Sequence, residues 1–382
     1  MIAPTPYFSD RGCHVRIYEE ARALTKLGHE VCIVTYHLGR DMPGVRVVRI
    51  PPVSWYGKLE AGPSWHKPYL DILLLWKALL ELRFFRPHLI HAHLHEGALI
   101  GSVLKCIFRI PLLFDYQGSL SGESLNHGFF REGSLLLKLF KGVEYFIDRR
   151  ADLIVTSSDC GREELVREWG IAPEKVVNLI DGVDTDVFCP CSRSEARREL
   201  GISDDVRLVV YLGLFNHYQG VDLLLDVIGR VKGAAPDVRF LLMGFPDAEY
   251  RRKAREMGID DIITFTGRVP YDRAPLYLSA GDLAVSPKLA LTEANGKLFN
   301  YMACGLPTVV FDNQINREIL GGEGIYVEHG NAPQMADTII ATLYDDERMI
   351  SLSKQVRERA ITIHSWNARS RQLESVYRML RR

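Results

Sequence analysis

The stretch "TEANGKLFNYMACGLPTVVFD", residues 292–312, decides how the rest of the chain reads. Leu298, Phe299, Met302 and Ala303 recur at helical spacing, so one face of a short helix packs. Gly305 and Pro307 end that helix, and "TVVF" reads as a buried, β-branched strand. The polar "EANG" therefore leads into a helix N-terminus, where free backbone N–H groups and the positive end of the dipole favour an anion. Most helix N-termini hold no ligand, so this loop needs support from elsewhere in the chain.

Working outward, strand-like and helix-like segments alternate throughout. "EVCIVTY", "HLIHAH", "PLLFDY", "DLIVTSS" and "KVVNLI" read as buried strands, with helical "CHVRIYEEARALTKLG" and "CGREELVREWG" each ending at Gly. The pattern restarts near residue 206 with "VRLVVYLG", "VRFLLMG", "IITFTG", "DLAVSP", "TVVFD" and "GIYVE". Helical runs near 219–232, 247–257, 273–279 and 331–345 separate most of these strands. The turn-rich "DGVDTDVFCPCSRSEARREL" lies between the two series as a linker, and "HSWNARSRQLESVYRMLRR" closes the chain as a helix with Ser365 as its N-cap. The first strand is odd: "MIAP" has almost no lead-in, so it is either short or continued upstream. Two doubly wound α/β domains are expected, with ligands at the carboxyl ends of the strands.

Composition narrows the function. The chain has 382 residues, enough for two cores, and a net charge of −1, which gives no global field for nucleic acid. Its seven cysteines are scattered, without metal-type spacing, and suit a reduced, cytoplasmic compartment. The N-terminus does not read as a signal peptide. Residues 69–85 are the most apolar run, but Asp71, Lys77, Glu81 and Arg83 interrupt it, leaving far fewer than the roughly 20 apolar residues a membrane span needs. Lys77, Arg83 and Arg86 flank Trp76, Phe84 and Phe85, which leaves open a peripheral contact with the inner face of a membrane. No Gly-x-Gly-x-x-Gly follows a strand and no P-loop occurs, which argues against nicotinamide or P-loop chemistry. In "HAHLHEG", His91, His93 and His95 alternate on one face if the strand continues, but Glu96 is the only carboxylate at hand, so a metal is not expected.

Several segments in order, "LTKLGHEVCIVT", "PHLIHAH", "ADLIVTSS", "IDGVDTDVF", "QGVDLLLDVI", "FTGRVPYDRAPLYLSAGDLAVSP", "YMACGLPTVV" and the closing "HSW", resemble the family-four glycosyltransferases of the GT-B fold. The resemblance spans nearly the whole chain. It implies two Rossmann-like domains facing across a cleft, 1–190 for the acceptor and 191–364 for the nucleotide sugar, with a helix over 365–382 crossing back to the first. It also implies a hexosyl transfer with retention from a nucleotide-sugar donor to a glycan or lipid-linked acceptor, without metal or other cofactor. On the donor side the resemblance points to Gly213, Asn295, Gly296, Lys297, Leu298 and Asn300, with the N–H groups of 296–298 on the phosphates and Asn300 on the ribose. Arg268 and Val269 would flank the base. Gln117, Glu293 and Lys297 take the catalytic positions, and Arg11, Gly12, His14 and His95 the acceptor side, with His14 either facing the acceptor or capping the helix that starts there. Asp115 and Glu123 lie in a loop that would meet acceptor hydroxyls or serve structure.

The departures from the family pattern matter as much. Thr292 and Asn300 stand where the family has two glutamates eight residues apart, with Glu293 one position away. Leu214 and Gln219 replace the arginine and lysine of Gly-Arg-x4-Lys-Gly, and Gln117 replaces a histidine. Losing two charge-assisted hydrogen bonds costs roughly 3–6 kcal/mol, on the order of 10² to 10⁴ in affinity. Lys288 and Lys297 bracket the same loop, so the expectation is that the phosphate clamp has moved to them, with Arg11 adding a third charge. The rival readings are a catalytically degenerate module that binds a glycan or a partner transferase, and a sugar-nucleotide epimerase of the same architecture.

Overall fold

The computed structural model describes residues 1–9, 12–57, 66–126, 133–291 and 294–380, with backbone alone at 123, 124 and 126. It divides into two compact units, Met1–Asp181 with Trp366–Arg382, and Gly182–Ser365. The division falls nine residues before the expected 190, and the reason is local bonding. Val183 N–H donates to His364 O, and Arg357 donates to the carbonyls of Thr185 and Phe188, so the segment after Gly182 is held by the second unit.

In the first unit the strands are β1 (Ile2–Ala3), β2 (Cys32–Thr35), β3 (Arg46–Arg49), β4 (Ile90–His93), β5 (Leu112–Tyr116), β6 (Leu153–Thr156) and β7 (Val176–Asn178). They form one parallel sheet in the order β3-β2-β1-β4-β5-β6-β7, with registers such as Ala92 opposite Phe114. β1 is only two residues long. The helices α1 (Gly12–Lys26), α2 (Lys67–Phe85), α3 (Leu94–Phe108), α4 (Leu120–Asn126) and α5 (Leu135–Asp148) follow strands or loops of this sheet. Strands such as "LLFDY" are buried along their whole length, as a parallel sheet covered on both faces requires. Val34, Leu74, Ala92, Leu112 and Phe114 belong to one core. On a second cluster, the C-terminal helix Trp366–Leu380 sets Leu373, Val376 and Tyr377 against Leu24, Leu113 and Val155. Burying each such side chain contributes roughly 1.5–3 kcal/mol, which holds this helix to the first unit.

The second unit repeats the plan with β8 (Arg207–Leu212), β9 (Val238–Met243), β10 (Ile263–Gly267), β11 (Leu283–Ser286), β12 (Thr308–Phe311) and β13 (Ile325–Val327). Its parallel order is β10-β9-β8-β11-β12-β13. Strand order therefore reverses between β8 and β11, just as it does between β1 and β4 in the first unit. A doubly wound sheet opens a crevice at such a reversal, because the two flanking loops leave toward opposite faces.

Candidate functional site

The crevice of the second unit is bounded by the loop after β8, residues 213–220, and by the described residues 287–291 and 294–296 after β11. Hydrogen bonds stitch these loops together. Leu289 and Ala290 donate their N–H groups to Tyr218 O, and Gln219 N–H donates to Asn216 Oδ1. Gly220 has φ +73°, and a Cβ there would lie 1.9 Å from Pro287 O, so only glycine lets the loops approach this closely. The next strand end joins in: Gly213 N–H donates to Met243 O and Phe215 N–H to Phe245 O. Gly244 is constrained likewise, since a Cβ there would lie 1.9 Å from Gly213 O.

Lys297 opens the helix Lys297–Ala303 and crosses to the end of β8. Its Nζ donates to Gln219 Oε1 at 2.7 Å and to the Tyr211 hydroxyl at 3.3 Å, and sits 4.3 Å from the centre of the Tyr211 ring. A Cβ on Gly213 would lie 2.8 Å from that Nζ, so Gly213 leaves the ammonium its room. Desolvation, with repulsion from Lys288, holds the Lys297 ammonium well below the ordinary lysine range. Lys288 is buried and donates to Ala294 O at 2.9 Å. Two cations thus converge on one loop among the described residues, where an anion would relieve their repulsion.

The helix itself offers less than its sequence suggests. It is seven residues long, and Leu298 N–H turns back to Asn295 O, so that N–H is not turned outward to a ligand. Asn295 is buried, its amide donating to Asn316 Oδ1 at 2.9 Å and to Ser286 Oγ at 3.1 Å, so its side chain anchors the loop instead of facing a ligand. Asn300 is half-buried. Arg268 is exposed with its guanidinium 3.9 Å from the Phe245 ring centre, and Val269 is half-buried beside it. Glu293 and Arg11 lie outside the described residues.

The reversal point of the first unit carries a buried ionic network. Arg16 and Glu20 lie on α1, His91 and His93 on β4, Asp115 on β5 and Tyr377 on the C-terminal helix. Arg16 pairs with Asp115 (Nη2 to Oδ1 2.9 Å), Glu20 (3.1 Å) and Asp181. His93 Nδ1–H donates to Asp115 Oδ2 at 2.8 Å, and the Gln117 amide donates to the same oxygen at 2.7 Å. His91 Nδ1 and the Tyr377 hydroxyl lie 2.8 Å apart, which ties the C-terminal helix to this network. Burial opposes ionisation of Asp115, but Arg16 and His93 outweigh it and hold the carboxyl well below the usual range. Burial pushes Glu20 the other way, against the attraction of Arg16 and with repulsion from Asp115 and Asp181. Ligand atoms of Glu20, His91, His93 and Asp115 fall within 4.8 Å of one another. The Arg16 guanidinium lies against both acids and supplies positive charge to them.

Comparison with known proteins fits this geometry. A family model described as "Glycosyl transferase 4-like domain" matches residues 11–179, and one described as "Glycosyl transferases group 1" matches residues 206–345. The chain belongs to the family-four glycosyltransferases. A D-inositol 3-phosphate glycosyltransferase of Corynebacterium aurimucosum is 25% identical, over 96% of this chain and 90% of that protein. The sulfoquinovosyl transferase SQD2 of Arabidopsis thaliana is 24% identical, over 94% of this chain and 68% of that protein. Among solved structures, a sucrose-phosphate synthase from Thermosynechococcus elongatus has a TM-score of 0.82 at 21% identity, covering 99% of this chain and 96% of that one. Anabaena Alr3699/HepE in complex with UDP-glucose has a TM-score of 0.76 at 17% identity, covering 99% and 98%. The fold of this glycosyltransferase is GT-B.

On the acceptor side the structure redraws the expected set. The strand carrying His91 and His93 ends at His93, so His95 falls on α3 instead of sharing their face. His95 is buried between Asp148 (3.4 Å) and Glu144 (3.5 Å); burial opposes its protonation, but these carboxylates outweigh it and raise its pKa. Glu96, the carboxylate the sequence offered, pairs with Lys67. His14 is fully buried and accepts from Ser9 N–H at its Nδ1, so its Nε2–H donates to Thr5 Oγ1 and the ring fixes the loop after β1. Gly12 is exposed, with open space where a Cβ would go. Asp115 is buried and serves Gln117 as an anchor. Sequence reasoning missed Arg16 and Glu20, whose signal was their position on the same helical face as Ile17, Ala21 and Leu24.

Proposed function

We propose that this glycosyltransferase moves a hexosyl group, with retention, from a nucleoside-diphosphate sugar to a glycan or lipid-linked acceptor, and that Lys297 and Lys288 hold the donor's diphosphate at the β8–β11 crevice. The observation that carries this reading is the position of the Lys297 ammonium, 2.7 Å from Gln219 Oε1. Gln219 stands where the family pattern has its lysine, so charge lost from the loop after β8 returns from the loop after β11. The reading as a degenerate module rested on the loss of the family's Arg, Lys, Glu and His positions, and a lysine returning to one of them answers part of that argument.

Chemically, breaking the sugar–phosphate bond leaves negative charge on the departing diphosphate. A lysine already placed and desolvated, ionised once the diphosphate is bound, stabilises that charge without reorganising water. No carboxylate among the described residues of this crevice stands as a nucleophile, which suits front-face substitution: the leaving phosphate oxygen takes the acceptor's proton as the new bond forms. Gln117, held by Asp115, and Glu293 are assigned to the sugar and acceptor. With two lysines supplying positive charge, the reading includes no divalent metal. A reducing, cytoplasmic setting and peripheral membrane contact complete it, supported by seven cysteines scattered along the chain and by exposed Trp76 and Phe84 beside Arg83. No described helix is long and apolar enough to cross a membrane.

The test is a thermal-shift screen against nucleoside diphosphates and their sugars, with and without a chelator, on wild type and Lys297→Ala. A ligand that binds only the folded protein raises its melting temperature. Stabilisation of the wild type that survives chelation and is lost in Lys297→Ala is expected. Equal stabilisation of both proteins would remove Lys297 from the site.

A further inference from the structure

Helix α5 is amphipathic with its charges inverted. Its two acids face inward: Glu144 accepts from the N–H groups of Leu120 (2.8 Å) and Ser121 (3.0 Å) at the start of α4, and Asp148 lies 3.4 Å from His95. Leu135, Leu136, Leu139, Val143 and Phe146 face outward, with Leu135 82% and Leu139 62% exposed. Their spacing marks a single helical stripe. Every exposed charge on or just after the helix is basic: Lys138, Lys141, Arg149 and Arg150. At its C-terminal end Arg149 stacks 4.2 Å from the Tyr145 ring centre and Arg150 4.4 Å from that of Phe146. The neighbouring helix α3 continues the pattern. Its exposed residues are Leu99, Val103, Cys106 and Ile107, all apolar, while its Lys105 is paired with Asp152.

We infer that the outer face of α5, continued by α3, docks on an anionic lipid bilayer. Such a surface asks for aliphatic side chains without polar complements, basic residues without exposed acids, and aromatic rings beside arginines at the headgroup level. Among the described residues the face supplies all three. A protein partner would have to match a stripe of leucines that offers few hydrogen-bonding groups, and a neutral bilayer would leave the one-sided charge without a role. The inference rests on the peripheral membrane contact of the proposed function and deepens it, naming the surface and the lipid charge where a lipid-linked acceptor would be met. It also moves the weight of membrane contact from the 76–86 segment to a different helix.

Flotation of the purified full chain with vesicles of phosphatidylcholine, alone or mixed with phosphatidylglycerol, tests it. The protein floats with the anionic vesicles, less so at high salt, and stays behind with the neutral ones. Lys138→Glu with Lys141→Glu weakens partitioning at least about tenfold, on an expectation of roughly fivefold per basic residue lost near a charged surface. Leu139→Glu with Phe146→Glu abolishes it. Thermal shifts with nucleoside diphosphates are unchanged in both variants, which shows that they fold and separates failure of this surface from failure of the donor site. Wild type that does not float, or variants that float equally well, would overturn the inference. So would a wild-type dimer made monomeric by Leu139→Glu with Phe146→Glu, which would give the face to a second copy.

Discussion

Lys297 Nζ lies 2.7 Å from Gln219 Oε1, joining two side chains 78 residues apart in the chain. The contact places a cation beside a position from which the sequence has removed one. If charge at this point matters and its covalent origin does not, exchanging the two residues preserves function. Lys297→Ala is expected to weaken donor binding by about 1.5–3 kcal/mol, roughly 10- to 150-fold in Kd. The double exchange Gln219→Lys with Lys297→Gln recovers most of it, whereas Gln219→Lys alone sets two ammonium groups together and does not. Titration calorimetry with the donor identified by thermal shift checks all three.

Proton uptake should accompany donor binding. The free protein holds Lys297 below the ordinary lysine value of 10.5, chiefly by desolvation. A bound diphosphate favours the ammonium, so binding draws in a proton at pH values between the depressed and the restored pKa. Calorimetry in two buffers of different ionisation heat measures that proton, and Lys297→Met removes it. The same shift has a stability consequence. Between the depressed pKa and 10.5 the unfolded chain binds more protons than the folded one, so this group's contribution to stability rises with pH there. Lys297→Met flattens that slope in urea titrations.

Glu20 gives the opposite slope. Both its carboxylate oxygens are buried, with the Arg16 ion pair but no hydrogen bond among the described residues, and burial raises its pKa well above 4.5. Between 4.5 and the raised value the folded protein binds more protons than the unfolded one, so stability from this group is present at low pH and lost as pH rises. Glu20→Gln should therefore gain stability relative to wild type as the pH increases from about 5 toward 8. Urea midpoints across that range measure it. A difference between the two proteins that does not change with pH would show that Glu20 is ionised in the fold.

Two glycines separate close packing from open space. Gly220→Ala meets a positive φ and the Pro287 carbonyl, and should cost at least about 1–3 kcal/mol while weakening donor binding through the stitched loops. Gly12→Ala, with nothing within 4 Å, should change stability by no more than about 0.5 kcal/mol. Thermal unfolding of the two variants decides, and an equal loss in both would argue against the loop approach as the cause.

The elements were legible because their signals are local. "TVVF" and "LLFDY" became buried strands and "EEARALTK" part of α1, since side-chain periodicity and Gly or Pro stops act within a few residues. The site was legible only in part. Charge near the polar loop singled out Lys288 and Lys297, which the structure brings close enough to repel one another, but Asn295 looked like a ligand group and is a loop anchor. His95 was misplaced because the strand-to-helix switch at Leu94 breaks the alternation on which the reading depended. The Arg16–Asp115 pair spans 99 residues, a separation at which sequence pattern carries no information about contact.

By itself the sequence determined two parallel α/β units and the chemistry of their loops, because burial pattern and turn residues fix each element where it stands. The tertiary structure alone decided which charges meet. Setting β8 beside β11 brings the Lys297 ammonium to Gln219, and the inward pull of Leu120, Ser121 and His95 on the acids of α5 turns its leucines and lysines outward. Contacts of that kind depend on sheet order and on competition between distant partners, which no local window of sequence contains.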